Sequence, residues 1–352
     1  MNSASDEREH LNALLTALDE PDRAAFLPPN DPLLMVVARH HRLTPLLSIR
    51  CGQTLPAALA EAFRRDRVVT AARNMILGQA AEECVRAFAS AGIAAIVLKG
   101  LDFETRLYGR AGSRPTADVD LLVPNDQRRL AFAVLDRLGY EPRAAAPGFD
   151  DHDYHEVAWT RAGLEVDLHL ALAPFARCRI DYAAIWAEAE PFVLGETPAR
   201  ALSRPHAAIF QALHMAIDHF EVPAIYLIDL MQLLPSVDEA AAARALAHRW
   251  HCERPLDTAL SLLSRFPQGR LLRAAAGGRS GLAQRIADSY GRTTRLSRPE
   301  QLLRKFRHFD TATDALTYFV VQSRRNLGEV MERHLRHRSA RERLAVTKSP
   351  VS

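Results

Sequence analysis

The chain has 352 residues, of which 48% are hydrophobic and 25% charged, an ordinary soluble composition with length for two or three domains. Its start, MNSASDEREH, is polar and acidic, which argues against a signal or transit peptide. No run approaches the roughly 18 apolar residues of a membrane span. Cys51, Cys84, Cys178 and Cys252 lack any CxxC or Cys/His spacing, which speaks against structural zinc or a disulfide framework and fits a reducing cytoplasm. The net charge of +3 hides an asymmetry. Residues 265–352 carry 19 Lys+Arg against 7 Asp+Glu, a surplus of 12 that leaves −9 for the rest. A solvated basic surface explains this surplus more simply than nucleic-acid binding, because no RRM, KH or zinc-finger pattern accompanies it.

Residues 1–91 read as helical. DEREHLNALLTALD and DPLLMVVARHHRLTPLLSI carry apolar residues at helical spacing, with Asp31-Pro32 as cap and first-turn proline. LPAALAEAFRRDRVVTAARNMILGQAAEECVRAFASAGI predicts one long helix ending near Gly92. The period then changes. IAAIVLKG suits a central strand, LDFETRLYGR returns to helix, and ADVDLLVP is again strand. DQRRLAFAVLDRLGY predicts a helix ending at Gly139, and EVAWTRAGLEVDLHLAL two strands across a turn near Arg161–Gly163. From about Pro174 the chain reads as helical with few strand signals, broken at Gly277-Gly278 and Gly291–Pro299. The expected organisation is α+β: an N-terminal helical region (1–91), a small α/β core (92–173), a C-terminal helical domain (174–335) and a basic, frayed tail (336–352).

The chemistry concentrates in the core. Side chains alternate on a strand, so Val119, Leu121 and Val123 take one face while Asp118 and Asp120 take the other. Two like charges on a rigid strand call for compensation. In LEVDLHL the same alternation sets Glu165, Asp167 and His169 apart from Leu164, Val166, Leu168 and Leu170. If the two strands are neighbours, Asp118, Asp120 and Asp167 share a polar face. Such a set suits hard divalent cations, of which Mg²⁺ keeps several waters and shares phosphate oxygens. A pair of ions there can assist an in-line displacement. Upstream, Lys99-Gly100 closes a strand and opens a helix, where a glycine, free N–H groups and a point charge suit phosphate. Arg106, Arg110 and Arg114 follow, and Arg114 is the expected second phosphate contact because it adjoins the aspartates. His169 shares the Asp167 face, which suits a phosphate or acceptor contact and a structural hydrogen bond equally.

In this order, LKG, LY, R…DVDLLV, GY and VDLH, joined by LHMAIDHF…IYLIDL between Leu213 and Leu230, resemble a bacterial family of uncharacterised nucleotidyltransferases. That family lies within the DNA-polymerase-β-like nucleotidyltransferase superfamily. The similarity covers about residues 92–235. It departs from many superfamily members in carrying Lys99-Gly100 in place of Gly-Ser or Gly-Gly. The resemblance implies a small mixed-sheet nucleotidyltransferase core flanked by helical regions. It implies Asp118 and Asp120 as paired metal ligands and Asp167 as the third carboxylate, which assists deprotonation of the acceptor. The implied reaction is attack of a hydroxyl on the α-phosphate of an NTP, ATP first among them, with Mg²⁺ or Mn²⁺ and release of pyrophosphate. The implied acceptor is a small molecule, a peptide such as a modified biosynthetic intermediate, or a protein. An RNA or tRNA acceptor is the alternative that the basic C-terminal region favours. A non-catalytic nucleotide-binding scaffold is a third, which three clustered aspartates argue against. No membrane partner is expected.

The remaining polar residues read more plainly. His155, in DHDYHEVAW, fits a polar loop entering a strand better than a zinc site. His214 and Asp218 stand four apart on one helical face, as a local contact. Asp229, inside IYLIDL, is flanked by apolar residues, and if buried it needs a histidine or arginine partner. His40-His41, His248 and His251 read as surface or packing residues.

Overall fold

A computed structural model describes residues 3–143, 155–174, 177–218, 220–263 and 309–320, together with 297 and 299. The predicted tail 336–352 and the Gly277-Gly278 break lie outside the described residues, as does the break at 291–299 apart from residues 297 and 299. The chain begins with α1 (Ser3–Asp19), a 3₁₀ segment (Pro21–Phe26), α2 (Pro32–His40) and α3 (Thr44–Cys51). Asp31 caps α2 as its sequence signals, accepting the Leu33 N–H at 2.8 Å with Pro32 in the first turn. The long predicted helix is α4 (Ala57–Ser90), which runs 34 residues and stops at Gly92, where φ is +73°.

The core follows: β1 (Ile96–Val97), α5 (Lys99–Phe103), a π turn (Glu104–Tyr108), β2 (Val119–Leu122), α6 (Arg128–Arg137), β3 (Glu141–Pro142), β4 (Glu156–Arg161) and β5 (Leu164–His169). The β4–β5 hairpin turns on Ala162 and Gly163, at φ +50° and +81°, as a primed two-residue turn requires. After α7 (Tyr182–Ala187) the structure departs from the sequence expectation. β6 (Glu190–Leu194) and β7 (Thr197–Ala201) form a second hairpin within the stretch read as helical. It extends the sheet beyond residue 173 through a parallel pair between β7 and β1. Pro191 and Pro198 mask these strands in the sequence. Pro191 is tolerated because β6 is an edge strand. The helices α8 (Arg204–Ile217), α9 (Ile225–Leu233), α10 (Val237–Trp250) and α11 (Glu253–Leu263) complete the described order, with a further helix at 312–320.

The seven strands form one mixed sheet in the order β3-β4-β5-β2-β1-β7-β6. Its two faces serve different cores. Val97, Val119, Leu121, Val166 and Leu168 pack with Leu77, Cys84 and Phe88 of α4 and Val134 of α6. Ile96, Leu98 and Leu122, from the alternate positions, belong to a second core with α1–α3 and α8–α11. α4 feeds both, through Leu59 and Phe63 at one end and Leu77 to Phe88 at the other. Asp120, between Val119 and Leu121, therefore points to the face that α8 and α9 cover. All four cysteines are free, and among the described residues no helix is long and apolar enough to cross a membrane.

Candidate active site

β2 and β5 lie side by side and parallel, with Asp120 opposite Asp167 and Val119 opposite Val166. The neighbour relation that the alternation required is thus present. Asp118 stands one residue before β2, on a segment that α4 fixes from behind. Arg73 donates to the Thr116 and Ala117 carbonyls at 3.2 and 2.8 Å, and Asn74 donates to the Arg114 carbonyl at 2.8 Å.

Asp120 is 3% exposed and carries two partners on one oxygen. Lys99 Nζ is 3.0 Å from its Oδ1, and His169 Nε2 is 3.0 Å from the same oxygen. Burial alone pushes this carboxyl up, but the Lys99 ammonium and the His169 ring outweigh it and hold it well below the usual range. The other two aspartates go the opposite way. Burial and the Asp120 charge raise Asp118, while burial and the charges of Asp120 and Asp118 push Asp167 up to about 7. His169 is buried, which lowers its pKa, yet the Asp120 carboxylate raises it overall, and its Nδ1 is 3.4 Å from Glu156 Oε2. The site thus holds one satisfied carboxylate and two short of positive charge.

This deficit is the test of whether a divalent cation fits. Three oxygen donors with unbalanced negative charge suit a hard cation. Among the described residues, no three His, Cys, Asp or Glu side chains stand close enough to share one ion. The donor chemistry fits a divalent cation, while the spacing is that of a site closed on the Lys99 ammonium.

The phosphate-side residues divide. Lys99 and Gly100 line the same pocket as Asp118, Asp120 and Arg114. Gly100 has φ +41°, and a Cβ there would come within 2.8 Å of Thr116 Cγ2. The structure accounts for this glycine by its backbone and its packing on Thr116. The expected helix entry is α5, five residues long with Gly100 itself non-helical, too short to carry a dipole argument for phosphate. Arg114 is 2% exposed, and its Nε and Nη2 donate to Asp229 at 2.8 to 3.2 Å. Tyr108 donates to Asp229 Oδ1 at 2.7 Å. Asp229 has the arginine partner its setting required, and the pair ties the approach to β2 onto α9. Arg106 is likewise committed, to Asp102 and Glu190.

His169 meets the edge of Phe210 at 5.9 Å between ring centroids, and Phe210 leads to His214 and Tyr226 on the covering helices. His214 Nε2 lies 3.7 Å from Asp218, the local contact expected. The His155 carbonyl accepts the Leu170 N–H at 2.7 Å, as a loop entering a strand should. Sequence reasoning passed over Arg42 and Tyr226, which also line the pocket. Tyr226 lies within the quoted IYLIDL signal, whereas Arg42 carries no local sign of its place.

No curated protein matches this chain. Several solved structures show weak likeness. The antibiotic-resistance factor ANT(2'')-Ia in solution is 14% identical with a TM-score of 0.37, over 50% of this chain and 92% of that one. ANT(2'')-Ia in complex with adenylyl-2''-tobramycin is 14% identical with a TM-score of 0.35, over 49% and 97%. An antigenic nucleotidyltransferase-like protein from Paracoccidioides brasiliensis is 16% identical with a TM-score of 0.35, over 58% and 91%. Likenesses this weak assign nothing to individual residues here. The family of uncharacterised nucleotidyltransferases, by contrast, matches residues 28–267, from before α2 to past α11. With that match across most of its length, the chain belongs to this family of uncharacterised nucleotidyltransferases and is a transferase of that kind.

Proposed function

We propose that the protein transfers a nucleoside monophosphate from an NTP, ATP in the first instance, to a hydroxyl of a small molecule or peptide, releasing pyrophosphate. One observation carries this: Asp120 and Asp167 are direct register partners on adjacent parallel strands, with Asp118 two residues upstream at the pocket beside Lys99. Asp118, Asp120 and Asp167 supply the oxygen donors that would hold Mg²⁺ or Mn²⁺, once a rearrangement brings them closer than they stand in the described residues. When bound, such an ion neutralises phosphate charge and polarises the α-phosphate. Lys99, 3.0 Å from Asp120 in the same pocket, would supply a point charge to a phosphate oxygen. His169 orients Asp120 through its 3.0 Å contact. Asp167, opposite Asp120 on the neighbouring strand, would take the acceptor proton. The acceptor oxygen bonds to the α-phosphorus as the bond to pyrophosphate breaks in line, so catalysis is positioning and charge stabilisation.

A small-molecule or peptide acceptor is favoured over RNA, since no RRM, KH or zinc-finger pattern accompanies the basic C-terminal region. The test offers each of the four α-labelled NTPs with Mg²⁺ or Mn²⁺ and fractionated metabolite, peptide and RNA pools. Label moving into a metabolite or peptide fraction, and staying in the NTP with Asp118→Asn, supports the proposal. Label entering only RNA selects the other acceptor class. Label that moves equally well with Asp118→Asn removes the aspartates from the chemistry.

A further inference from the structure

The pocket beside the aspartates receives a side chain from outside the α/β core. Arg42, in the turn after α2, lines it together with Lys99 and Asp118. Its backbone is left-handed, with φ +57°, a conformation arginine adopts at a cost. The turn is hydrogen-bonded on both sides: Arg42 N–H returns to the Arg39 carbonyl at 3.0 Å and Leu43 N–H to the Ala38 carbonyl at 2.9 Å. The preceding residue ties this turn to α9. His41 Nδ1 accepts the Ala224 N–H at 3.1 Å, and its carbonyl accepts the Ile225 N–H at 3.3 Å. Burial keeps the His41 ring neutral, as an acceptor must be.

So held, the Arg42 guanidinium lies 6.0 Å from the centroid of the Tyr226 ring, and its charge reaches Asp118. The other two pocket cations are already taken. Lys99 pairs with Asp120 and Arg114 with Asp229, whereas Arg42 forms no ion pair among the described residues. A strained, clamped arginine at the mouth of a site is the kind of outlier from which a functional role is inferred. Its planar fork matches phosphate oxygens better than an ammonium does.

We propose that Arg42 binds the terminal phosphates of the NTP, resting on the Tyr226 ring between turnovers, so that the N-terminal helical region completes the nucleotide site. This rests on the NTP-dependent function proposed above. It makes that region part of the donor site rather than a lid for the core.

The test uses Arg42→Gly, because glycine accepts positive φ and removes only the side chain. Calorimetry with Mg²⁺ measures the tightest-binding of the four NTPs, and inorganic tripolyphosphate serves as a competitor without a base. The variant should melt no lower than wild type yet bind the NTP about tenfold or more weakly, as loss of a charge-assisted contact implies. Tripolyphosphate should compete well against wild type and poorly against the variant, with Arg42→Lys in between. Equal NTP affinity in wild type and Arg42→Gly overturns the assignment while leaving the proposed reaction intact. Weaker NTP binding with unchanged tripolyphosphate competition also overturns it, because Arg42 would then read the nucleoside. Wild type binding none of the four NTPs removes the reaction itself.

Discussion

Asp118 and Asp120 stand two residues apart, and the structure predicts that neutralising Asp120 destabilises the protein while neutralising Asp118 does not. From the sequence alone, relief of repulsion suggests that Asp118→Asn and Asp120→Asn both stabilise the metal-free protein. The surroundings separate them. Asp120 is buried against Lys99 and His169, so asparagine there leaves a buried ammonium without its counter-charge. Removing one partner of a buried pair costs about 3–5 kcal/mol, and the amide oxygen keeps an acceptor for His169, which favours about 3 kcal/mol. Asp118 has its pKa raised by burial and by the Asp120 charge, so the fold disfavours its charged form. Asp118→Asn should leave stability unchanged or higher. The assay is urea unfolding in EDTA at neutral pH, where about 3 kcal/mol moves the midpoint by roughly 1 M. Lys99→Met should also destabilise, and the double variant Lys99→Met/Asp120→Asn should recover about 1–3 kcal/mol of coupling. An Asp120→Asn variant as stable as wild type, or additive losses in the double variant, would refute the assignment of Lys99 as the internal counter-ion.

Other expectations follow from the same structure. Asp229→Asn should cost about 3 kcal/mol or more by stranding the buried Arg114, and Arg114→Lys should not rescue function, because one ammonium cannot replace the fork on Asp229; thermal unfolding and NTP binding check both. Gly100→Ala should destabilise by about 1–3 kcal/mol, since φ is +41° and the new Cβ meets Thr116, and Thr116→Ser should restore the part due to the methyl contact. The His10–Asp31 contact of 2.7 Å links α1 to the cap of α2. His10 has its pKa raised from 6.5, burial being outweighed by the Asp6 carbonyl and Asp31, so its contribution is full below 6.5 and fades as pH rises through the raised value. Asp31 is lowered from 3.8 chiefly by His10, so its share persists above 3.8 and is lost as pH falls through the lowered value. Wild type should therefore lose up to about 1 kcal/mol relative to His10→Ala between about pH 6 and about pH 8, read from paired denaturation curves.

How far the sequence reveals this molecule depends on the range of each interaction. Strands β2 and β5 were legible because alternation of Val119 and Leu121 with Asp120, and of Val166 and Leu168 with Asp167, is a local pattern that the shared core enforces. The Asp31-Pro32 cap and the Gly92 and Gly139 stops were legible for the same reason. The β6–β7 hairpin was not, because two prolines and two alanines lower strand propensity while its real signal, Gly195 at φ +58° between Leu194 and Thr197, is a single residue. Arg114 shows a different limit. Its position before the aspartates suits a phosphate, but its side chain is taken by Asp229, 115 residues away. Asp229 itself announced its need for a partner, because a carboxylate in an apolar helix has few alternatives. Arg42 could not be found from the sequence, since its place depends on His41 clamping a turn to α9.

The most direct measurement is calorimetric titration of the wild type and Asp118→Asn with each NTP, in Mg²⁺ and again in EDTA. The proposed site predicts that at least one NTP binds wild type tightly in Mg²⁺, weakly in EDTA, and weakly to Asp118→Asn in both. An NTP that binds equally well in EDTA, or equally well to a folded Asp118→Asn, would contradict a cation-bridged nucleotide at these aspartates.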